Sequence, residues 1–162
     1  MATSSSGNTT VVSGDPLVYE SAELSEDAKP GHLVEYGGSS DLQKHSTSGG
    51  DAIPMFIEEN PLDAGQDWST ATDSGDTPKV AVPKGGERIT ARAATDNFSD
   101  GDFLQSNGDG TLTQFSAQSI DYSETTGTTT IVDRRIVAVI PEDESINNSG
   151  GSGGEALVVQ SV

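Results

Sequence analysis

The chain has 162 residues, of which 26 are Asp or Glu and only 8 are Lys or Arg, for a formal net charge of −18. With so few cations it has no basic face to neutralise phosphates, which argues against direct nucleic-acid binding and against an anionic membrane surface. It contains no cysteine, which rules out disulfides, thiolate nucleophiles and cysteine-bound zinc, and no apolar run approaches the roughly 20 residues of a membrane-spanning helix. The acids are spread along the whole chain rather than gathered in a tail. Their mutual repulsion destabilises a compact state in dilute buffer, and salt relieves it as the Debye length shrinks to about 3 Å at 1 M. Patterned apolar runs persist beneath the charge, so the composition reads as that of a folded protein adapted to brine. At 31% hydrophobic residues the core is thin, and the length fits one domain.

The N-terminal segment is Ser/Thr/Gly-rich and lacks the basic and apolar regions of a secretory signal. It reads as a flexible arm over residues 1–20, ahead of a single β-rich domain over 21–162. Val11, Val12, Leu17 and Tyr19 are its candidate contacts, suited to adding a strand to a partner's sheet edge. Ser21 to Pro30 has room for one helical turn, ended by Pro30–Gly31. His32–Tyr36 and Leu42–His45 read as short strands. Ile53–Ile57 is a third apolar run, which Pro54 places at an edge or bulge. Residues 60–77 form a long polar connection carrying Trp68. Lys79–Pro83 alternates as a short strand. In 88–93, Arg88, Thr90 and Arg92 alternate with Ile89, Ala91 and Ala93, which sets the arginines on one face.

The strongest local signal is Asp102–Phe115, where Asn107–Gly108 and Asp109–Gly110 suit the positive φ values of a tight hairpin. A Thr-rich loop follows over 119–130. Thr130–Asp133 and Arg135–Ile140 are apolar runs, the second stopped by Pro141. A Gly/Ser loop then leads to a last strand, Ala156–Val162. No segment sustains a helical period. Short strands with turn signals between them predict an all-β fold, a small barrel or sandwich.

No catalytic constellation stands out. His32 and His45 are the only histidines, and Ser and Asp are too abundant for a triad to be read from composition. No Gly-x-Ser-x-Gly elbow occurs. The acid pairs Glu58–Glu59 and Glu142–Glu144 read as solvated surface. No metal site is assigned. Asp100, Asp102 and Asp109 come nearest to an oxygen-donor set for Ca²⁺ or Mg²⁺, but the EF-hand order is not met and the turns already account for them. No glycine-rich loop has the context of a phosphate cradle, and no cofactor is expected.

The order of motifs is nevertheless distinctive. Pro30-Gly-His-Leu-Val-Glu35 is followed by His45 and Gly50-Asp-Ala-Ile-Pro-Met-Phe56. Gly75–Asp76 precedes Lys79–Val80, and Gly86 precedes an alternating strand. Gly101-Asp-Phe-Leu104 leads to Asn107-Gly-Asp-Gly-Thr-Leu112, and Arg135-Ile-Val-Ala-Val-Ile-Pro-Glu142 precedes the Gly/Ser loop and the Val-rich end. This series resembles the head-decoration, or capsid cement, proteins of tailed viruses over about residues 28–162. The resemblance implies a small β-barrel on the exterior of an icosahedral virion, usually a homotrimer, bound to the major capsid protein. It also implies an N-terminal arm reaching onto the capsid and no catalytic residues. The acidity points to a virus of a salt-loving archaeon, and the long 60–77 and 119–130 loops leave open a flat cement or a protruding turret. The scarce arginines Arg88, Arg92, Arg134 and Arg135 are expected either to meet acidic neighbours or to pair within their own subunit. The alternative reading is a halophilic cell-surface β domain that binds carbohydrate or an adhesin-type partner.

Overall fold

A computed structural model describes residues 11–15, 17–19, 22–58, 68–94, 97–116, 136–141, 146–147 and 155–162. Among these the chain forms strands and no helix. In chain order they are β1 (Val11–Ser13), β2 (Leu17–Tyr19), β3 (Val34–Tyr36), β4 (Leu42–Lys44), β5 (Phe56–Ile57), β6 (Val80–Val82) and β7 (Arg88–Ala93). They continue as β8 (Asn97–Phe98), β9 (Phe103–Ser106), β10 (Leu112–Gln114), β11 (Ala138–Val139), β12 (Ile146–Asn147) and β13 (Glu155–Ser161).

Five of them close a barrel in the order β7-β10-β9-β11-β13, with β13 returning to pair along the whole of β7. All its pairings are antiparallel except β10 against β7, which is parallel through Leu112 and Ala93. The hairpin predicted at 107–110 joins β9 to β10, with Gly108 at φ 90° and Gly110 at φ 81° as the turn requires. Closure removes the sheet edges of the five strands and leaves a narrow interior. That interior takes many small residues, Ala91, Ala93 and Ala138, beside Leu33, Phe56, Ile89, Leu104, Leu112 and Ile140. A chain poor in aromatics fills a barrel of this bore.

A second core lies beside the first, made by Leu24, Ala28, Val34, Leu42, Met55, Ile57 and Val80. It is covered by the sheet β2-β6-β5 and by the β3–β4 hairpin. Extended backbone alternates its side chains between two faces, and the chain uses this to join the cores. Leu33 enters the barrel core and Val34 the second core; Phe56 enters the barrel core while Met55 and Ile57 enter the second. Leu33 and Phe56 are themselves bridged.

Over the described residues 22–30, the helical turn expected between Ser21 and Pro30 is not formed. Leu24 makes a parallel bridge to Leu42 and Ala28 an antiparallel bridge to Thr72. The backbone there bonds to two other segments, through Leu24 N–H to Asp76 O, Leu42 N–H to Glu23 O, and Thr72 N–H to Ala28 O. Extended backbone delivers Leu24 and Ala28 to the second core, and tertiary pairing overrides local turn propensity.

In β7 the alternation is as expected, with Ile89, Ala91 and Ala93 inward, but the opposite face is not open to solvent. Thr90 and Arg92 are buried as well. The sequence candidates Val11 and Val12 lie in β1, which pairs β7 from the outer end of the sheet. Leu17 and Tyr19 lie in β2, which pairs β6. The turn after β1 is held by Glu87, whose carboxylate accepts from Asp15 N–H at 2.8 Å and Lys84 N–H at 2.7 Å, while the Lys84 ammonium donates to Asp15 O.

Candidate functional site

Three segments converge on His45, which follows β4 and is 2% exposed. Its Nδ1 lies 2.8 Å from Ser106 Oγ at the end of β9, and its Nε2 lies 3.0 Å from Asp51 O and 3.6 Å from Glu35 Oε2. Nε2 faces only acceptors, so it carries the proton and donates to Asp51 O. Nδ1 then accepts from the Ser106 hydroxyl, which in turn accepts from Gly108 N–H at 3.1 Å. A serine, a histidine and a carboxylate are therefore close together. Their geometry is not that of an activated nucleophile, because Ser106 is 0% exposed and its oxygen is committed on both sides. The chain of bonds fastens the β9–β10 hairpin to β4 and to the 46–51 loop.

Glu35, on β3, holds the outer side of this node. Its Oε1 accepts from Gln43 Nε2 at 3.0 Å, Ser46 N–H at 3.0 Å and Ser46 Oγ at 2.8 Å. Burial pushes the carboxyl up, but these hydrogen bonds outweigh it and hold Glu35 below the usual carboxylate range. Glu35, Tyr36, His45, Asp51, Ala52, Ile53 and Met55 line a cavity of about 260 Å³ that opens to solvent. Tyr36 and Ile53 stand at it 47% and 66% exposed. Ile53 follows the 46–51 loop and precedes Pro54, and its side chain belongs to neither core.

A second polar node lies around Arg92. Its guanidinium packs over the Trp68 ring at 4.7 Å from the centroid, with Nε donating to Pro30 O at 2.8 Å and Nη2 donating to Trp68 O. Trp68 in turn covers Gly31, whose φ is 82°. Beside it, His32 Nδ1 accepts from Lys29 N–H at 3.0 Å. Burial, with the charges of Arg92 and Lys44 adding to it, lowers the His32 pKa to about 3. His32 is thus a neutral strand-entry residue. Arg92 is thus engaged within the chain by the Trp68 ring and two backbone carbonyls. Arg134 and Arg135 lie outside the described residues.

Two of the carboxylates singled out for metal binding, Asp102 and Asp109, are turn acceptors. Asp102 Oδ2 accepts from Ser99 N–H, and Asp109 Oδ1 from the N–H and hydroxyl of Thr111. Burial pushes the Asp109 carboxyl up, and the hydrogen bonds from Thr111 and Asn107 outweigh it and hold it low. Asp100 lies in the turn before β9. Among the described residues no three His, Asp or Glu side chains are grouped to hold a metal ion. Glu59, Glu142 and Glu144 lie outside the described residues. The Glu35–Ile53 cavity was not singled out in the sequence. The one signal for it is the apolar Ile53 between the 46–51 loop and Pro54, a pattern shared with ordinary loops. No known protein-family model matches the chain, and no curated protein matches it.

Proposed function

We propose that this protein is a structural virion component that binds the exterior of an icosahedral capsid and braces it, as a decoration or cement protein working in high salt. The observation that carries the reading is where the motifs behind the resemblance fall. Gly101 turns the chain into β9, Asn107–Gly110 joins β9 to β10, and Ala138–Val139 is β11. Pro30–Glu35 contributes Leu33 to the barrel core, and Gly50–Phe56 contributes Phe56. The motif order thus follows the sealing of a small closed barrel, the architecture that the resemblance implies.

The most enclosed histidine is locked in structural hydrogen bonds, which fits a role in holding shape. Strand β1, at the outer end of its sheet, offers an edge for pairing with a partner strand. On this reading the partner is the major capsid protein, the assembly is a homotrimer, and the N-terminal residues reach onto the shell. No cofactor is involved.

The test is co-sedimentation with major-capsid-protein shells of a haloarchaeal tailed virus, in concentrated salt, together with the mass of the free protein. The full chain should sediment with shells, and the chain lacking residues 1–16 should fold but bind less. Failure of the full chain to bind, or a strict monomer on the shell, would overturn the reading.

A further inference from the structure

We propose that the cavity between Glu35 and Ile53 receives one arginine side chain presented by a partner protein. At about 260 Å³ it falls below the roughly 300–1,000 Å³ of small-molecule sites, and is of a size for a single side chain. Its walls are apolar where Tyr36, Ala52, Ile53 and Met55 stand, and acidic at one end. Tyr36 and Ile53 are two of the few large apolar side chains that the described surface leaves exposed. Concentrated salt that strengthens apolar burial favours covering them.

Glu35 supplies the polar recognition. All three of its donors, from Gln43 and Ser46, end on Oε1. Its Oε2 faces His45 Nε2 at 3.6 Å, too long for a hydrogen bond, and that nitrogen's proton goes to Asp51 O instead. Oε2 therefore keeps acceptor capacity beside the apolar wall. The hydrogen bonds on Oε1 fix the carboxylate's orientation and keep it ionised.

Charge complementarity decides the occupant: with 26 acidic and only 8 basic side chains, the chain has too few cations of its own to match its carboxylates, so a cation for Glu35 comes from another molecule. Arginine suits the slot better than lysine because its guanidinium is planar, weakly hydrated and stacks on aromatic rings. Exposed ion pairs are screened in brine, whereas partly buried ones are screened much less. The molecule already holds one such arrangement, Arg92 over Trp68. This inference does not depend on the capsid reading, since any protein surface can present the arginine.

The probe is a blocked Gly-Arg-Gly peptide titrated into the full chain and followed by amide NMR shifts, with the citrulline and lysine peptides as controls. The arginine peptide should give saturable shifts at Tyr36, His45, Ile53 and Met55, and citrulline should not. Glu35→Gln should weaken binding about tenfold, the loss of a charge-assisted hydrogen bond. Ile53→Ser, at an exposed position that leaves the fold intact, should weaken it as well. Shifts scattered over the acidic surface, no saturable shift, equal binding of citrulline, or indifference to Ile53→Ser would each overturn the proposal. Lysine binding as well as arginine would overturn the choice of side chain. Failure on any of these counts leaves the shell-binding test of the decoration reading untouched.

Discussion

Replacing Gly31 by alanine tests how Trp68 is seated. Gly31 lies at φ 82°, where an L side chain is strained by about 1–2 kcal/mol. A Cβ there would run into the indole, overlapping Cη2 and lying 2.9 Å from Cζ2. Trp68 cannot simply swing away, because Arg92 stacks on its ring and donates to its carbonyl. Overpacking of this kind costs about 1–3 kcal/mol, so Gly31→Ala should cost about 2–5 kcal/mol in all. That is a large share of the roughly 5–15 kcal/mol of a typical domain. Trp68 is the only tryptophan, so its fluorescence reports both the denaturation midpoint and any displacement of the ring in the native state. The two contributions separate in a Trp68→Ala background followed by circular dichroism. There the same glycine substitution should cost only the backbone part, about 1–2 kcal/mol. A cost within about 0.5 kcal/mol of zero in the natural chain, or an equal cost in both backgrounds, would refute the account of the Gly31–Trp68–Arg92 stack.

The pH dependence follows from His32. Its folded pKa, about 3, lies below its ordinary value of 6.5, so its contribution is complete above 6.5 and is lost as pH falls from 6.5 towards 3. The loss approaches at most about 1.4 kcal/mol per pH unit. His32→Asn, which keeps an acceptor for Lys29 N–H, should flatten that part of a stability–pH curve, and an unchanged slope would remove His32 as its source. Glu35 and Asp109, both held low, add losses in the same direction only at more acidic pH, below about 4.5 and 3.8. Ser161 Oγ is buried without a hydrogen-bond partner among the described residues. Ser161→Ala should therefore raise stability by about 1 kcal/mol in denaturant titration, and a clear loss would reveal a partner for the hydroxyl. The melting temperature should climb between 0.1 M and 1 M salt as the Debye length falls from about 10 Å to about 3 Å. A flat profile would show that self-repulsion does not govern this fold.

Much of the barrel was legible because its signals are local. The Asn-Gly-Asp-Gly turn needs positive φ whatever surrounds it, and the alternation of Ile89, Ala91 and Ala93 marks a strand with one inward face. The rest depended on contacts between distant segments. Ser21–Pro30 holds residues compatible with a helical turn, and only its pairing with Leu42 and Thr72 makes it extended. Arg92 sits on the polar side of an alternating strand, yet Trp68, 24 positions away, covers it. The cavity by Glu35 is made by β3, His45 and the 51–55 segment, whose proximity no spacing in the sequence encodes.

The placement of the cations ties the surface to its partners. Lys44 pairs with Glu26 at 3.0 Å, Lys84 holds Asp15 O, and Arg92 is turned inward onto Trp68. These three tie separate segments of the chain together, Arg92 from a buried position, Lys44 from a partly buried one and Lys84 at the exposed surface. Among the described residues, Lys44, Lys84 and Arg92 thus act as fastenings within a chain whose net charge is strongly acidic. A partner surface of like sign would be repelled at low salt. Stable docking therefore has to come either from apolar and backbone contacts that work in brine, as an edge strand such as β1 can make, or from cations that the partner itself brings. The two modes respond oppositely to dilution. Apolar contact assisted by salt weakens as salt is removed, whereas an arginine set against Glu35 tightens. Measuring partner binding across salt concentration in the natural chain and in Glu35→Gln would separate them, because only the second mode loses its low-salt gain when the carboxylate is neutralised.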